Sequence, residues 1–328
     1  MRGYLSRAYG LLIASNLPIP GLACLPDTGA EADICARLGE IPVAFTNPHL
    51  TSLPCYIANS EEPDSLRLFA LDSGHFHLRY GDGVEFVLDR TGSEIWACWG
   101  PESSLEDTAT YLLGPVFGFL LRLRGITCLH AAAVAIDGRV AAFLGPAGAG
   151  KSTLAAAMAR LGHAVACEDV LPITETAGEY LVHPGYPRVR LWPDSAAALF
   201  GSADALPRLS PNWQKQYLDL EASPFRFLPQ PLPLGAVYVL NESPEARPRI
   251  VDIPPREALM ALAGNTYASI PLDPSTRAAE FQTLTDLVRR LPVRQLLLPG
   301  NFATLLSACH LVSENFHTPQ PVLQHFNV

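Results

Sequence analysis

Short apolar runs separated by turn residues fill the first hundred positions. Tyr9-Gly10-Leu11-Leu12-Ile13-Ala14, Asn16-Leu17-Pro18-Ile19-Pro20-Gly21 and Ala32-Asp33-Ile34-Cys35-Ala36-Arg37-Leu38 read as mainly β. The best hairpin joins Phe76-His77-Leu78-Arg79-Tyr80 to Val84-Glu85-Phe86-Val87-Leu88 through Gly81-Asp82-Gly83, and residues 94–99 form the next strand. His75 and His77 fit strand faces better than a ligand set. The pattern then changes period. Ser103-Ser104-Leu105-Glu106-Asp107 is a capping box, and Leu112, Leu113, Val116, Phe117, Leu120 and Leu121 mark the buried side of a helix ending near Arg124, before Gly125. That helix reads as a bridge between a β-rich domain over 1–102 and a second domain over 103–328.

The second domain alternates strands and helices, which makes it α/β. Cys128-Leu129-His130-Ala131-Ala132-Ala133-Val134-Ala135-Ile136 and Val140-Ala141-Ala142-Phe143-Leu144 flank Asp137-Gly138, a strong signal for a tight hairpin. A helix over 154–161 stops at Gly162, and Ala164-Val165-Ala166-Cys167 is a short strand. Further on come a buried strand over 235–240, helices over 255–262 and 276–291, and a strand over 293–298. Prolines between Ala205 and Pro255 mark irregular surface segments.

Chemistry concentrates where the second hairpin arm ends. Gly145-Pro146-Ala147-Gly148-Ala149-Gly150-Lys151-Ser152, followed by Thr153, has the spacing of a phosphate-binding loop between a strand and a helix. Small residues let successive backbone N–H groups turn inward around a phosphate, and the helix N-terminus adds its partial positive charge. Lys151 then reaches the β and γ phosphates, and the Ser152 hydroxyl is placed for Mg²⁺. ATP and Mg²⁺ are the expected ligands.

Other residues are drawn toward this loop by topology. The hairpin brings His130 to the loop end of the sheet, where it could contact phosphate or assist proton transfer. Glu168 and Asp169 stand at a strand end one helix after the loop. Two acids there suit two tasks, holding Mg²⁺ and accepting the proton of an attacking hydroxyl. Arg188 and Arg190, two apart on an extended segment, face one way and could clamp a phosphate or a carboxylate; they read equally well as exposed residues beside buried Tyr186 and Trp192. Asn241-Glu242 is a rival metal site that fits a core strand better. Only two of the 23 basic residues are lysines, Lys151 and Lys215. Lys215 is therefore worth marking as a candidate phosphate ligand, although an ordinary surface lysine is the reading the pattern favours.

Composition narrows the partners. With 48% hydrophobic and 17% charged residues the chain is globular, and a net charge of −9 without a basic stripe argues against nucleic acid. Seven cysteines without paired spacing read as reduced and mostly buried. The longest apolar run, 111–121, is broken by Gly114, Pro115 and Gly118, and the N-terminal stretch lacks the features of a signal peptide; no membrane association and a cytoplasmic location are expected.

His130, the Asp137-Gly138 hairpin, the loop, and Gly162-His163 leading to Glu168-Asp169 together resemble the HPr kinase/phosphorylase family over about 128–170, with a weaker likeness to about Phe200. The opening Tyr9-Gly10-Leu11 and Leu17-Pro18-Ile19-Pro20 is similar to that of the shorter-loop HPr-kinase-like proteins that accompany peptide-modification gene sets, including the kinases that phosphorylate lasso-peptide precursors. The resemblance implies a fold shared with phosphoenolpyruvate carboxykinases, Mg²⁺-ATP over the loop, and transfer to a serine hydroxyl of a peptide or protein. It further implies that Asp169 assists Ser152 with Mg²⁺, that Glu168 stands where the family has an aspartate base, and that His130 matches the family histidine. The expected function is an ATP-dependent serine-directed kinase. A small-molecule kinase and a nucleotide-binding sensor or assembly factor with little turnover are the alternatives, and a homo-oligomeric state is left open.

Overall fold

A computed structural model describes residues 3–45, 56–58, 65–267 and 274–318. The chain separates into two compact units. The first comprises Met1–Ile126 with Arg208–Gln214, and the second comprises Thr127–Pro207, Lys215–Tyr267 and Pro274–Val328.

Eight strands among the described residues form the sheet of the first unit: β1 (Tyr4–Ala8), β2 (Leu11–Ser15), β3 (Ile34–Leu38), β4 (Tyr56–Ala58), β5 (Leu66–Ala70), β6 (His75–Tyr80), β7 (Glu85–Asp89) and β8 (Glu94–Cys98). Their order is β1-β2-β3-β8-β7-β6-β5-β4. The expected β6–β7 hairpin is present, and His77 lies on its face with Nε2 2.7 Å from Glu85 Oε2. Tyr9-Gly10, read from sequence as the start of a strand, is instead the turn between β1 and β2; both residues have positive φ, as a two-residue hairpin turn requires.

The helical segment has three parts: α1 (Leu105–Tyr111), a π-helical stretch (Leu112–Val116) containing Pro115, and α2 (Phe117–Leu123). Ser104 caps α1 in the expected box with Asp107. The segment packs within the first unit. Tyr9 OH donates to Leu113 O, Phe119 meets Phe76 edge-on, and Tyr111 stacks on Tyr80. The division thus falls after Ile126, and not at 102/103 as the sequence pattern suggested.

The second unit is mixed α/β. Its strands are β9 (Thr127–Ile136), β10 (Arg139–Leu144), β11 (Val165–Cys167), β12 (Val170–Thr176), β13 (Glu179–Val182), the ribbon strands β14 (Arg188–Leu191) and β15 (Gln216–Asp219), β16 (Leu232–Ser243), β17 (Arg249–Asp252) and β18 (Val293–Pro299). Its helices are α3 (Lys151–Arg160), α4 (Pro193–Phe200), α5 (Pro255–Gly264), α6 (Pro274–Arg290) and α7 (Leu305–Asn315). Asp137-Gly138 makes the β9–β10 turn, again with both φ positive. β16 pairs first with β13 and then, in parallel, with β10, so β10, β9, β12, β13 and β16 close a circuit of pairings. β16 runs on through Asn241 and Glu242, which pair with Leu297 and Leu298 of β18, so both are strand residues.

Strand alternation supplies two cores. Ala132, Val134, Phe143 and Tyr238 pack with residues of α3 and α7, while Leu129, Ala131, Ala142 and Val239 pack with residues of α5 and α6. The alanine-rich face of α3 is what permits its close approach to the sheet: Ala155, Ala156 and Ala159 are all buried. Of the described cysteines, Cys128, Cys167 and Cys309 are buried, but Cys24 and Cys35 are exposed. Among the described residues no helix is long and apolar enough to cross a membrane.

Candidate active site

β10 delivers the chain into the loop at Gly145. Its φ is +145°, and a Cβ there would lie 2.9 Å from the Leu240 carbonyl oxygen of the neighbouring parallel strand, so only glycine fits. The Gly145 N–H donates to Asn265 Oδ1 at 3.2 Å. Ala149 N–H closes a turn onto Pro146 O, and Gly150, left-handed at φ +90°, starts α3. Lys151 is buried and its Nζ donates back to Gly145 O at 2.8 Å and Pro146 O at 3.1 Å. Burial lowers the pKa of this ammonium, with Asp169 and Glu168 opposing the shift.

The two acids follow β11. Ser152 Oγ donates to Glu168 Oε1 at 2.6 Å. The other Glu168 oxygen accepts from Arg190 Nε at 2.7 Å, and Arg190 Nη2 lies 2.7 Å from Asp169 Oδ2. Tyr267 OH donates to the same Asp169 oxygen at 2.8 Å, while Asp169 Oδ1 is 3.3 Å from His130 Nε2. The result is one continuous chain of contacts from the loop helix through Glu168, Arg190 and Asp169 to His130.

Burial alone would raise the Asp169 carboxyl, but Arg190, His130 and the hydrogen bonds from Arg190 and Tyr267 bring it down to about 2. His130 is held below 6.5: the surrounding protein disfavours its charged form by more than Asp169 favours it. Near pH 7 the pair is therefore a carboxylate beside a neutral imidazole. Burial keeps the Tyr186 hydroxyl, beside Arg190, protonated far above its usual range.

Each residue marked in the sequence has a definite place. The 145–153 loop, His130, Glu168 and Asp169 come together, but Ser152 meets Glu168, whereas the resemblance paired it with Asp169. Arg190 binds the chain's own two carboxylates. Arg188 lies over the Tyr217 ring at 4.0 Å on the β14–β15 ribbon, and Lys215 lies over the Trp192 ring at 5.0 Å one step beyond its end. Thr153 Oγ1 is 2.9 Å from Ser195 Oγ.

Asn265 and Tyr267 carry no motif and were not marked in the sequence. The only local signal was an asparagine at the end of a helical pattern, a common helix terminator. Asn265 ends α5, accepts from the His130 N–H through its backbone carbonyl at 2.7 Å, and holds Gly145 through its side chain.

The donor set suits a magnesium–nucleotide complex. Two carboxylates and a serine hydroxyl are hard oxygen donors, and Mg²⁺ on a nucleotide is usually held by one or two carboxylates plus phosphate oxygens. Among the described residues no group of three or more His, Cys, Asp or Glu side chains is arranged to hold a metal ion by itself.

No family model and no curated protein matches the chain. Among solved structures, the HPr(Ser) kinase/phosphatase from Coxiella burnetii is similar at 17% identity and a TM-score of 0.27, over 57% of this chain and 95% of that one. A superposition that loose transfers no residue roles, so the functional reading stands on the side chains described above.

Proposed function

We propose that this chain is an ATP-dependent phosphotransferase that moves the γ-phosphoryl group of Mg²⁺-ATP to a hydroxyl, that of a serine in a peptide or protein. The observation that carries the reading is the 2.6 Å hydrogen bond by which the loop residue Ser152 meets Glu168, itself joined through Arg190 to Asp169 and His130. A phosphate-binding loop alone would fit any nucleotide binder; the acids beside it fit transfer chemistry.

When bound, Mg²⁺-ATP supplies the phosphoryl group and the metal charge that screens it. The loop N–H groups and Lys151 would hold its phosphates, and Lys151 would give up its bonds to Gly145 O and Pro146 O to do so. Ser152 with Glu168 makes the metal side of the site. Asp169 with His130 makes the acceptor side: the carboxylate draws the acceptor hydroxyl into line, and the neutral imidazole is able to take its proton. A carboxylate held near pKa 2 is a weak base, but phosphoryl transfer asks more for alignment and charge than for basicity. This assignment exchanges the two acids relative to the resemblance, because Ser152 lies against Glu168.

The test is intact-mass analysis of serine-containing precursor peptides, including ones that end in serine, after incubation with Mg²⁺-ATP and the protein or its Lys151→Ala variant. A gain of one phosphoryl group with the wild type alone is expected. ADP formation without that gain would move the acceptor to a small molecule. Neither product would replace the transferase with a nucleotide-binding sensor.

A further inference from the structure

The ribbon that carries Arg190 has two unlike faces. β14 and β15 pair in the register Arg188↔Asp219, Val189↔Leu218, Arg190↔Tyr217 and Leu191↔Gln216. Val189, Leu191 and Leu218 are buried in the core beneath α3. The opposite face presents Arg188, Arg190 and Tyr217, and one step beyond the paired residues Trp192 and Lys215 meet. This face begins at the two acids, through Arg190, and ends at a lysine seated on an indole.

Three observations single out Lys215. Trp192 is 54% exposed, an unusual position for the largest apolar side chain unless its ring has a task. It stands at the start of α4, whose first turn is tied to the loop helix through the Ser195–Thr153 contact, so the Trp192–Lys215 pair sits beside the loop. In a chain that otherwise uses arginine, the only two lysines are Lys151 of the loop and Lys215.

We propose that Lys215, seated on the Trp192 ring, is a second ammonium of the phosphate site and binds, together with Lys151, the terminal phosphate of a nucleoside triphosphate. The proposal rests on the reading of the 145–153 loop as a nucleotide site. It adds a selectivity: Lys215 distinguishes a triphosphate from a diphosphate, which the loop alone does weakly.

The test is calorimetric binding of a non-hydrolysable ATP analogue and of ADP to the full chain, with Mg²⁺ present. The wild type is compared with Lys215→Met, which keeps the stem over Trp192, with Lys215→Gln, and with Lys215→Arg. Loss of the charge is expected to weaken the triphosphate analogue about tenfold or more and ADP by less than about twofold, with arginine restoring most of the difference. Retained ADP affinity serves as the control for folding. Equal loss of both ligands in the Met and Gln variants, or no loss of either, overturns the proposal and leaves the nucleotide site standing. A wild type that binds neither ligand overturns both.

Discussion

Ser152 Oγ lies 2.6 Å from Glu168 Oε1, and this contact orders the two acids. Glu168 and Asp169 form the bend between β11 and β12, where Glu168 meets the loop helix, Asp169 meets His130, and Arg190 joins the two. Substituting each acid by its amide separates their roles. Glu168→Gln is expected to raise the Mg²⁺ concentration needed for half-maximal turnover by about tenfold or more, with kcat largely regained at saturating metal. Asp169→Asn is expected to lower kcat by about 10²–10⁴-fold at any Mg²⁺ concentration. Rates of ADP formation across a Mg²⁺ titration decide it, and the reverse pattern would restore the assignment implied by the resemblance.

Arg190 is 8% exposed and spans both carboxylates. Removing it leaves two adjacent, largely buried anions without the guanidinium that bonds both, the arrangement that makes breaking a buried ion pair costly. Arg190→Met is expected to destabilise the second unit by about 3–5 kcal/mol, read from urea unfolding. Arg190→Lys keeps the charge but not the fork that reaches two carboxylates, so its loss should be smaller yet distinct. A change below about 1 kcal/mol for the Met variant would show that the acids are screened by other means.

What could be read in the chain and what could not divides along the range of the interaction. The Asp137-Gly138 hairpin, the Ser104–Asp107 cap and the strand–loop–helix around Lys151 are each fixed within a few residues, and each is present. Tyr9 reads as part of a strand because an apolar residue in a left-handed turn is indistinguishable, by hydropathy, from the first residue of a strand. The partners of Arg190 lie some twenty residues earlier and across a hairpin, so its spacing from Arg188 told only that the two share a face. Which acid faces Ser152 depends on which side of the strand end the loop occupies, a tertiary fact. Asn265 and Tyr267 reach the site from 120 and 98 residues away, through a helix end that has no pattern of its own.

Acid titration should report the site through stability. Asp169 falls from 3.8 to about 2 on folding, so its contribution is fully present above about pH 4 and is lost as pH falls through about 2. The size is on the order of 2 kcal/mol. His130 acts in a higher window: its folded pKa lies below 6.5, so the unfolded chain takes up the proton first and stability declines as pH drops under 6.5. Urea unfolding at a series of pH values should therefore show Asp169→Asn missing the lower limb and, because that carboxylate favours the charged imidazole, steepening the loss under 6.5. An unchanged lower limb in that variant would mean that the wild-type carboxyl is not held down in the fold.

The helix end that carries Asn265 and Tyr267 offers the sharpest separation between holding the loop and tuning the acid. Asn265→Ala leaves the Gly145 N–H without its acceptor while the backbone bond to His130 can persist, since that bond uses the Asn265 carbonyl. The expected result is weaker ATP binding, with a stability loss of about 1–2 kcal/mol, and little change in kcat at saturating nucleotide. Tyr267→Phe removes one donor from Asp169 and leaves the loop alone. Its expected signature is an upward shift of the acid limb of the stability profile and a kcat reduced by less than about tenfold, with KM for ATP unchanged. If both variants instead lower ATP affinity and kcat in parallel, the α5 terminus acts as one packed unit, and the two side chains have no separable roles.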